Sequence, residues 1–146
     1  MKTIYLAVME RLESNVPGLK WIDLDTGQLA AAKPSVSFPC ALVGIKLPKS
    51  KSLTDTIQDC EARITVKLGF DNKLRTAAKT PDVARTASLA VYDIIADVYK
   101  TLQGFRTENF DSLNRVSQGD EPTKNGLFIY KIEFSSAFED RTAEED

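Results

Sequence analysis

The sequence predicts an α+β fold: a mainly antiparallel, mixed sheet of about four to five strands with two main helices packed on one face. Three observations predict it. Residues 60–71, CEARITVKLGFD, alternate between apolar and polar side chains, as a strand with one buried face does. Residues 81–103 repeat apolar residues every three or four positions, which is typical of an amphipathic helix. Residues 127–138 alternate again, and the elements follow in the order α, β, β, β, α, β, β.

The first two elements are a helix and a short strand. An amphipathic helix is predicted over 3–15, because Ile4, Val8 and Leu12 lie on one stripe, and Pro17-Gly18 ends it. The stretch LKWIDLD that follows is interpreted as a short strand of open register. Asp25-Thr26-Gly27 then forms a turn.

The next part of the chain holds two strands and the connections before each. Residues 28–37 are Ala-rich and polar and form a connection. FPCALVGIKL, residues 38–47, is apolar on both faces, which favours a strand inside a sheet with Pro39 at its start. Residues 47–58 are polar and rich in turn-forming residues, so they are expected to be a long surface loop before the strand at 60–71.

The second half holds the long helix and a pair of strands. Thr80 is suited to cap the helix, Pro81 to occupy its first position and Gly104 to stop it. Its apolar stripe comprises Val83, Ala87, Ala90, Val91, Ile94, Val98 and Leu102. The face of the preceding strand from Cys60 to Phe70 is expected to meet this helix. Strands are then predicted at 111–118 and 127–138, joined by the loop GDEPTKNG.

Composition limits the function classes. The 146 residues suit a single domain, assigned to residues 1–140, with an acidic flexible tail at 141–146. The net charge of −2 gives no general affinity for nucleic acid or membranes. Because the apolar run Ile4–Met9 is short for a secretory signal and no run approaches the roughly 18 residues that span a bilayer, we expect a cytoplasmic protein.

Catalytic chemistry has little support in the residues present. The chain contains no histidine, which excludes Ser-His-Asp and Cys-His arrangements and removes the commonest general base. We therefore expect no enzymatic activity, no catalytic residues, no metal ligands and no cofactor. Cys40 and Cys60 are expected to be reduced, buried thiols, and a disulfide stays open only if their strands are neighbours in matching register.

Two surface features have alternative interpretations. Lys46, Lys49 and Lys51 form a small basic stretch that either contacts a phosphate backbone or is simply solvated. Leu127 and Ile129 lie on the face of the last strand opposite Phe128 and Tyr130, and Phe105 and Phe110 flank a polar segment. These apolar residues need cover, either from a neighbouring subunit or from a loop of the same chain.

The order of elements resembles the tail terminator, or tail-completion, proteins of long-tailed bacteriophages and prophages. The resemblance extends over residues 3–138. It is carried by the N-terminal amphipathic helix, a Pro-led strand FPCALVGI, an alternating strand closing on LGFD, the Ala-rich helix VARTASLAVYDIIADVYKTL and the last strand LFIYKIEFSSAFED.

The resemblance implies a structural role in virion assembly. Such proteins form homo-oligomeric rings, typically of six subunits, that end tail-tube polymerisation and join the tail to head-completion proteins. It implies that Lys46, Lys49 and Lys51 face a channel through which DNA passes. Its inter-subunit candidates are Glu61, Arg63, Lys67, Leu127 and Ile129.

Three partners follow from this implied role: other copies of the chain, the tail-tube protein and the head-completion protein. The implied location is the cytoplasm of a bacterial host, and the virion after assembly. Two alternatives stay open at this point. One is a head–tail connector, neck or tail-tube component; the other is a small cytosolic ligand-binding or regulatory domain.

Overall fold

The chain folds around a five-stranded mixed sheet, described by a computed structural model for residues 1–71 and 74–144. Helix α1 spans Lys2–Asn15, α2 Asp82–Leu89 and α3 Val91–Leu102; the strands are β1 Trp21–Leu24, β2 Cys40–Ser52, β3 Gln58–Phe70, β4 Asn114–Glu121 and β5 Phe128–Asp140. A short 3₁₀ turn, Gln28–Ala30, lies between β1 and β2. The predicted α+β class is confirmed.

Strand order in the sheet is β1-β2-β3-β5-β4. The short β1 runs parallel to β2, with Trp21 beside Cys40 and Leu24 beside Val43. The other three pairings are antiparallel. The longest pairing joins β3 to β5 from Gln58–Asp140 to Phe70–Phe128 without a register shift, so these two strands form the centre of the sheet.

One face of the sheet packs against the helices and forms the main core. The face of β3 from Cys60 to Phe70 is buried, as predicted, while its other face is only partly exposed. Twenty buried residues share this main core. They are Ile4, Val8, Leu12, Val16, Ala41, Val43, Ala62, Ile64, Val66, Leu68, Phe70, Val91, Ile95, Val98, Leu102, Phe110, Leu113, Tyr130, Ile132 and Phe134.

A second, smaller cluster lies on the opposite face of the sheet. Its buried members are Leu29, Cys40, Leu42 and Ile129, with Val36, Phe38 and Leu127 packed around them. The segment between β1 and β2, which contains the 3₁₀ turn, therefore covers one end of this face.

The expectation of a surface loop over 47–58 was wrong. β2 continues to Ser52, and only residues 53–57 turn back into β3. This part of β2 is largely exposed, so its side chains carry no apolar alternation. Backbone pairing with β3 holds it extended, with Ser52 opposite Gln58.

The long helix predicted over 81–103 is interrupted at Ala90, which separates α2 from α3. Ala90 keeps helical angles (φ −59°, ψ −20°), but its N–H bonds to Ala87 O, one residue closer than in an α-helix. The predicted apolar stripe is buried only in its second half. Ser88 is the one buried residue of α2, whereas α3 buries five.

Several predicted boundaries also shift. Thr80 is not the cap: Pro81 occupies the N-cap position and makes no side-chain bond, while Asp82 in the first turn forms an ion pair with Arg85. β4 begins three residues later than predicted. Of the predicted acidic tail, residues 145–146 lie outside the described part of the chain, as do residues 72–73 of the polar connection after β3.

Candidate functional site

The side of the sheet away from α1 and α3 carries the charged residues of β3 and is here called the helix-free face. Glu61, Arg63 and Lys67 project from it, between the partner side chains of β2 and β5. These three residues, named by the sequence as inter-subunit candidates, therefore lie on one surface. Their side chains are 29%, 34% and 25% exposed, so neighbouring groups partly screen them from solvent.

Ion pairs run across the helix-free face as a connected chain. Arg63 contacts Glu61 at 3.1 Å and Glu133 at 3.6 Å. Lys131 joins Glu133 to Glu121, at 3.5 Å on each side. Lys67 then bridges Glu121 at 3.4 Å to Asp25 at 3.7 Å, which ties β3, β5 and the end of β4 to the turn after β1.

The Glu61 carboxylate is held at one end of this chain. It accepts hydrogen bonds from Arg63 at 3.1 Å and from the Ser135 hydroxyl at 3.1 Å. These two bonds, Arg63 first, lower the pKa of Glu61 below its usual value, and the positive charges of Arg63 and Lys49 act in the same direction. Glu61 therefore carries its negative charge over the neutral pH range.

A β-bulge brings the three candidate lysines to this same face. Lys46 pairs with Arg63 and Lys49 with Glu61, so β2 advances by three residues where β3 advances by two. Without the bulge, residues three apart in a strand would point to opposite faces. With it, Lys46, Lys49 and Lys51 all project from the helix-free face, which sequence spacing alone did not reveal.

These lysines differ from Lys67 and Lys131 in having no ion-pair partner within 4.0 Å among the described residues. All three are exposed. An open groove of about 1,020 Å³ begins beside Lys49 and Lys51 and extends towards Asn114 and Val116. The helix-free face thus has a neutralised centre and, at its β2 edge, a row of unpaired positive charges.

The cover that Leu127 and Ile129 required comes from the same chain. Ile129 is only 5% exposed and packs with Leu29, Cys40 and Leu42. The assignment of Leu127 and Ile129 to an inter-subunit surface is corrected accordingly, since the segment before β2 already covers them. Sequence reasoning left this alternative open but had no means of showing which loop lay over them.

Asn125 fastens that covering segment. Its side-chain amide donates to the carbonyl oxygens of Leu29 at 2.8 Å and Ala31 at 3.1 Å. The β4–β5 loop and the 3₁₀ turn, 94 or more residues apart in sequence, are thereby joined over the second cluster. No pattern in the sequence marked Asn125, because both of its partners are backbone atoms.

Phe105 and Phe110 are likewise covered within the chain. Their rings meet edge to face with centroids 5.7 Å apart, and the Arg11 guanidinium lies 4.9 Å from the Phe105 ring. Phe110 is buried in the main core and Phe105 packs against it. Of the two open interpretations, cover from the same chain is therefore the one observed.

The two cysteines are free and buried, as expected. Their strands are neighbours, but Cys40 pairs with Gly69 and Cys60 with Ser50, so they lie far apart on opposite faces of the sheet. Burial raises the pKa of the Cys40 thiol from 9.0 to about 11. Cys40 is therefore a protonated, packed side chain at neutral pH.

Within residues 1–71 and 74–144, no group of three or more Asp, Glu or Cys side chains is arranged to hold a metal ion. Over the same residues, no helix combines the length and apolar character needed to cross a membrane.

Comparison with known proteins shows a similarity of fold. No protein-family model matches the chain, and no curated protein matches it in sequence. Among solved structures, a chain from the virion of a native gene transfer agent particle is similar, with a TM-score of 0.50 and 13% sequence identity. The match covers 94% of this chain and 95% of that chain, so the two share their fold over nearly their whole lengths.

Proposed function

We propose that this chain is a structural protein of a phage-type particle, and specifically a tail terminator without enzymatic activity. The observation that carries the proposal is the end-to-end similarity of fold to a chain of a gene transfer agent virion. The order of elements, which resembles tail terminators, supports the more specific role.

In this proposal the chain forms a ring, probably the sixfold ring of the terminators it resembles, that ends a tail tube and joins it to a head-completion protein. The helix-free face would look towards the channel. Lys46, Lys49 and Lys51 support this orientation because all three project from that face without ion-pair partners among the described residues. Unpaired lysines suit a wall along which DNA passes, since they attract phosphates without reading sequence.

The experiment measures assembly directly. The purified chain is examined by light scattering across a concentration series and by negative-stain electron microscopy, alone and with tail tubes assembled from the tube protein of the same gene cluster. We expect rings of uniform subunit number that bind at one end of the tube. A strictly monomeric chain that binds no tube would contradict the proposal.

A head–tail connector or tail-tube component is the nearest alternative role, and the same experiment separates the three. A terminator binds only at the end of a preformed tube, whereas a tube component copolymerises along its whole length. A connector binds the head portal rather than the tube.

A further inference from the structure

We propose that copies of this chain join through their strand edges: the free part of β2 in one copy pairs antiparallel with β4 of the next. The inference rests on the ring proposed above and assigns its inter-subunit surface. It differs from the sequence-based assignment, which placed that surface on Leu127, Ile129 and the charged face of β3.

One free edge is the second half of β2. The short β1 covers only Cys40–Val43, and the N–H of Asp25 makes the last bond across that edge, to Val43 O at 2.9 Å. Beyond this point Gly44–Ser52 pairs with β3 on one side and, among the described residues, with no strand on the other. Nine residues of backbone are therefore available there for pairing.

The other free edge is β4, the last strand of the sheet. Its beginning is covered by its own chain, because Gln103 Oε1 accepts the Arg115 N–H at 2.8 Å and Leu113 O accepts the Gly104 N–H at 2.8 Å. The open part is thus Val116–Glu121, where Val116 is 48% exposed.

Strand direction makes the two edges compatible. β2 and β5 run one way and β3 and β4 the other, so in a sheet continued from copy to copy β4 meets the next β2 antiparallel. The edges lie at opposite ends of the sheet. Such a head-to-tail contact uses two different surfaces, and it closes into a ring when the rotation between copies divides a full turn.

Charge selects the register. Lys49 and Glu121 both project from the helix-free face, and placing them opposite each other brings unlike charges together across the new pair. Gly119 then lies opposite Lys51, where its missing side chain leaves room for the lysine. Two strands that each carry a bulge can meet here because the chosen segments lie beyond both bulges.

Backbone direction agrees with this register. The Val43 carbonyl faces the outer edge of β2, and alternation through the bulge turns the N–H and C=O groups of Ser50 and Ser52 outward as well. On β4 the outward N–H of Arg115 implies, by the same count through its bulge, that Gln118 and Asp120 face outward. The hydrogen-bonded pairs are therefore Ser50 with Asp120 and Ser52 with Gln118.

The same β2 edge discourages other partners. Pro48 has no N–H, and Lys46, Lys49 and Lys51 repel basic strands and are costly beside apolar ones. A strand that ends in Asp120-Glu121 meets the requirement. The lysines thus allow this pairing while limiting uncontrolled aggregation.

Disulfide cross-linking tests the register. In the double variant Lys51→Cys/Gly119→Cys the two new thiols of adjacent copies occupy a closely spaced, non-hydrogen-bonded pair, which suits a disulfide. We expect mild oxidation to give a ladder of covalent oligomers on non-reducing gels. A mixture of the two single variants should stop at dimers. The control Lys51→Cys/Gln118→Cys places the thiols on opposite faces and should cross-link at least tenfold less.

A proline substitution gives an independent test. Ser50→Pro removes an N–H that faces outward and is not used by β3, so the subunit should fold with an unchanged circular dichroism spectrum while self-association weakens about tenfold or more. Ser50→Ala, which also loses the hydroxyl contact to Cys60, should associate like the original chain.

The outcomes separate this inference from the proposed function. If rings form but the Lys51/Gly119 pair cross-links no better than the control pair, or Ser50→Pro assembles normally, the edge pairing is wrong and the ring proposal stands. If the unaltered chain is monomeric at every concentration and on tail tubes, both are wrong.

Discussion

Gly69 lies where β3 passes beneath the 3₁₀ turn, and its missing side chain permits that close approach. A Cβ built on Gly69 would lie 2.9 Å from the Cys40 sulfur and 3.0 Å from both Leu29 methyl carbons. Cys40 is wholly buried and Leu29 nearly so, which leaves these neighbours little room to move. Packing in the second cluster thus depends on a single atom at this position.

We expect Gly69→Ala to lower the free energy of unfolding by about 1–3 kcal/mol, because the added methyl overpacks the second cluster. Gly44→Ala is the matched control: it lies in the neighbouring strand on the same face and meets nothing within 4 Å. Urea unfolding monitored by circular dichroism measures both variants. Equal effects of the two substitutions would show that the contacts around Gly69 are not limiting.

Cys40 makes stability depend on alkaline pH. Its pKa is raised from 9.0 to about 11 in the folded chain, so the folded state keeps a proton that the unfolded state releases. The stabilising contribution is fully present below about pH 9 and is lost as the pH rises towards about 11. Unfolding free energies measured from pH 8 to pH 11, on the scale of that shift, should fall more steeply in the original chain than in Cys40→Ala. Parallel curves would contradict this account.

At the scale of elements, α2 and α3 continue one apolar pattern but differ in what they contact. Val83 of α2 is 85% exposed, whereas Val98 of α3 is completely buried. The change falls at Ala90, where the helix is interrupted. Only the second part of the stripe is directed at the sheet, so only that part contributes to the core.

Val98→Ala should therefore lower the free energy of unfolding by about 2 kcal/mol, since two buried methyl groups are replaced by a cavity. Val83→Ala makes the same chemical change on the same pattern and should alter it by less than about 0.5 kcal/mol. Thermal or urea unfolding compares the pair. A similar loss from both would mean that α2 is packed after all.

The loop between β4 and β5 holds the 3₁₀ turn through Asn125. Asn125→Ala removes two hydrogen bonds to backbone carbonyls and should reduce stability by about 1–2 kcal/mol. Hydrogen exchange should accelerate at residues 28–31 and not in α1. The exposed Lys124→Ala is the adjacent control and should leave exchange unchanged. Uniform acceleration across the chain would indicate a global loss of stability instead of a local release.

At the scale of the whole molecule, the two faces of the sheet have different tasks. The face beneath the helices holds the main core, and the helix-free face carries a chain of ion pairs and three unpaired lysines. Ion pairs that are partly exposed contribute little to folding free energy. A charged, connected surface of this kind is better suited to an assembly interior than to holding the subunit together.

If the helix-free face contacts DNA, Lys46→Gln/Lys49→Gln/Lys51→Gln should abolish low-salt retention on double-stranded DNA. The salt dependence of any remaining affinity should fall by about two to three phosphate contacts. The control Lys33→Gln/Lys79→Gln/Lys100→Gln removes the same charge from exposed lysines elsewhere. Equal losses in the two triple variants would assign the effect to net charge and contradict a specific DNA-facing surface.

Sequence periodicity determined most of the elements, because burial of one face imposes a repeat of two on a strand and of about 3.6 on a helix. CEARITVKLGFD therefore identified both faces of β3 correctly, and the helix over α3 was equally clear. The absence of histidine limited the chemistry before any coordinates were known.

Only the tertiary structure decided which surfaces were free. The extension of β2 to Ser52 depends on pairing with β3, and exposed lysines and serines carry no periodic signal of it. The bulge that aligns Lys46 with Lys49, the cover over Ile129 and the uncovered edges of β2 and β4 arise from contacts between distant segments. Local patterns record which side chains avoid water, whereas long-range contacts determine what covers them.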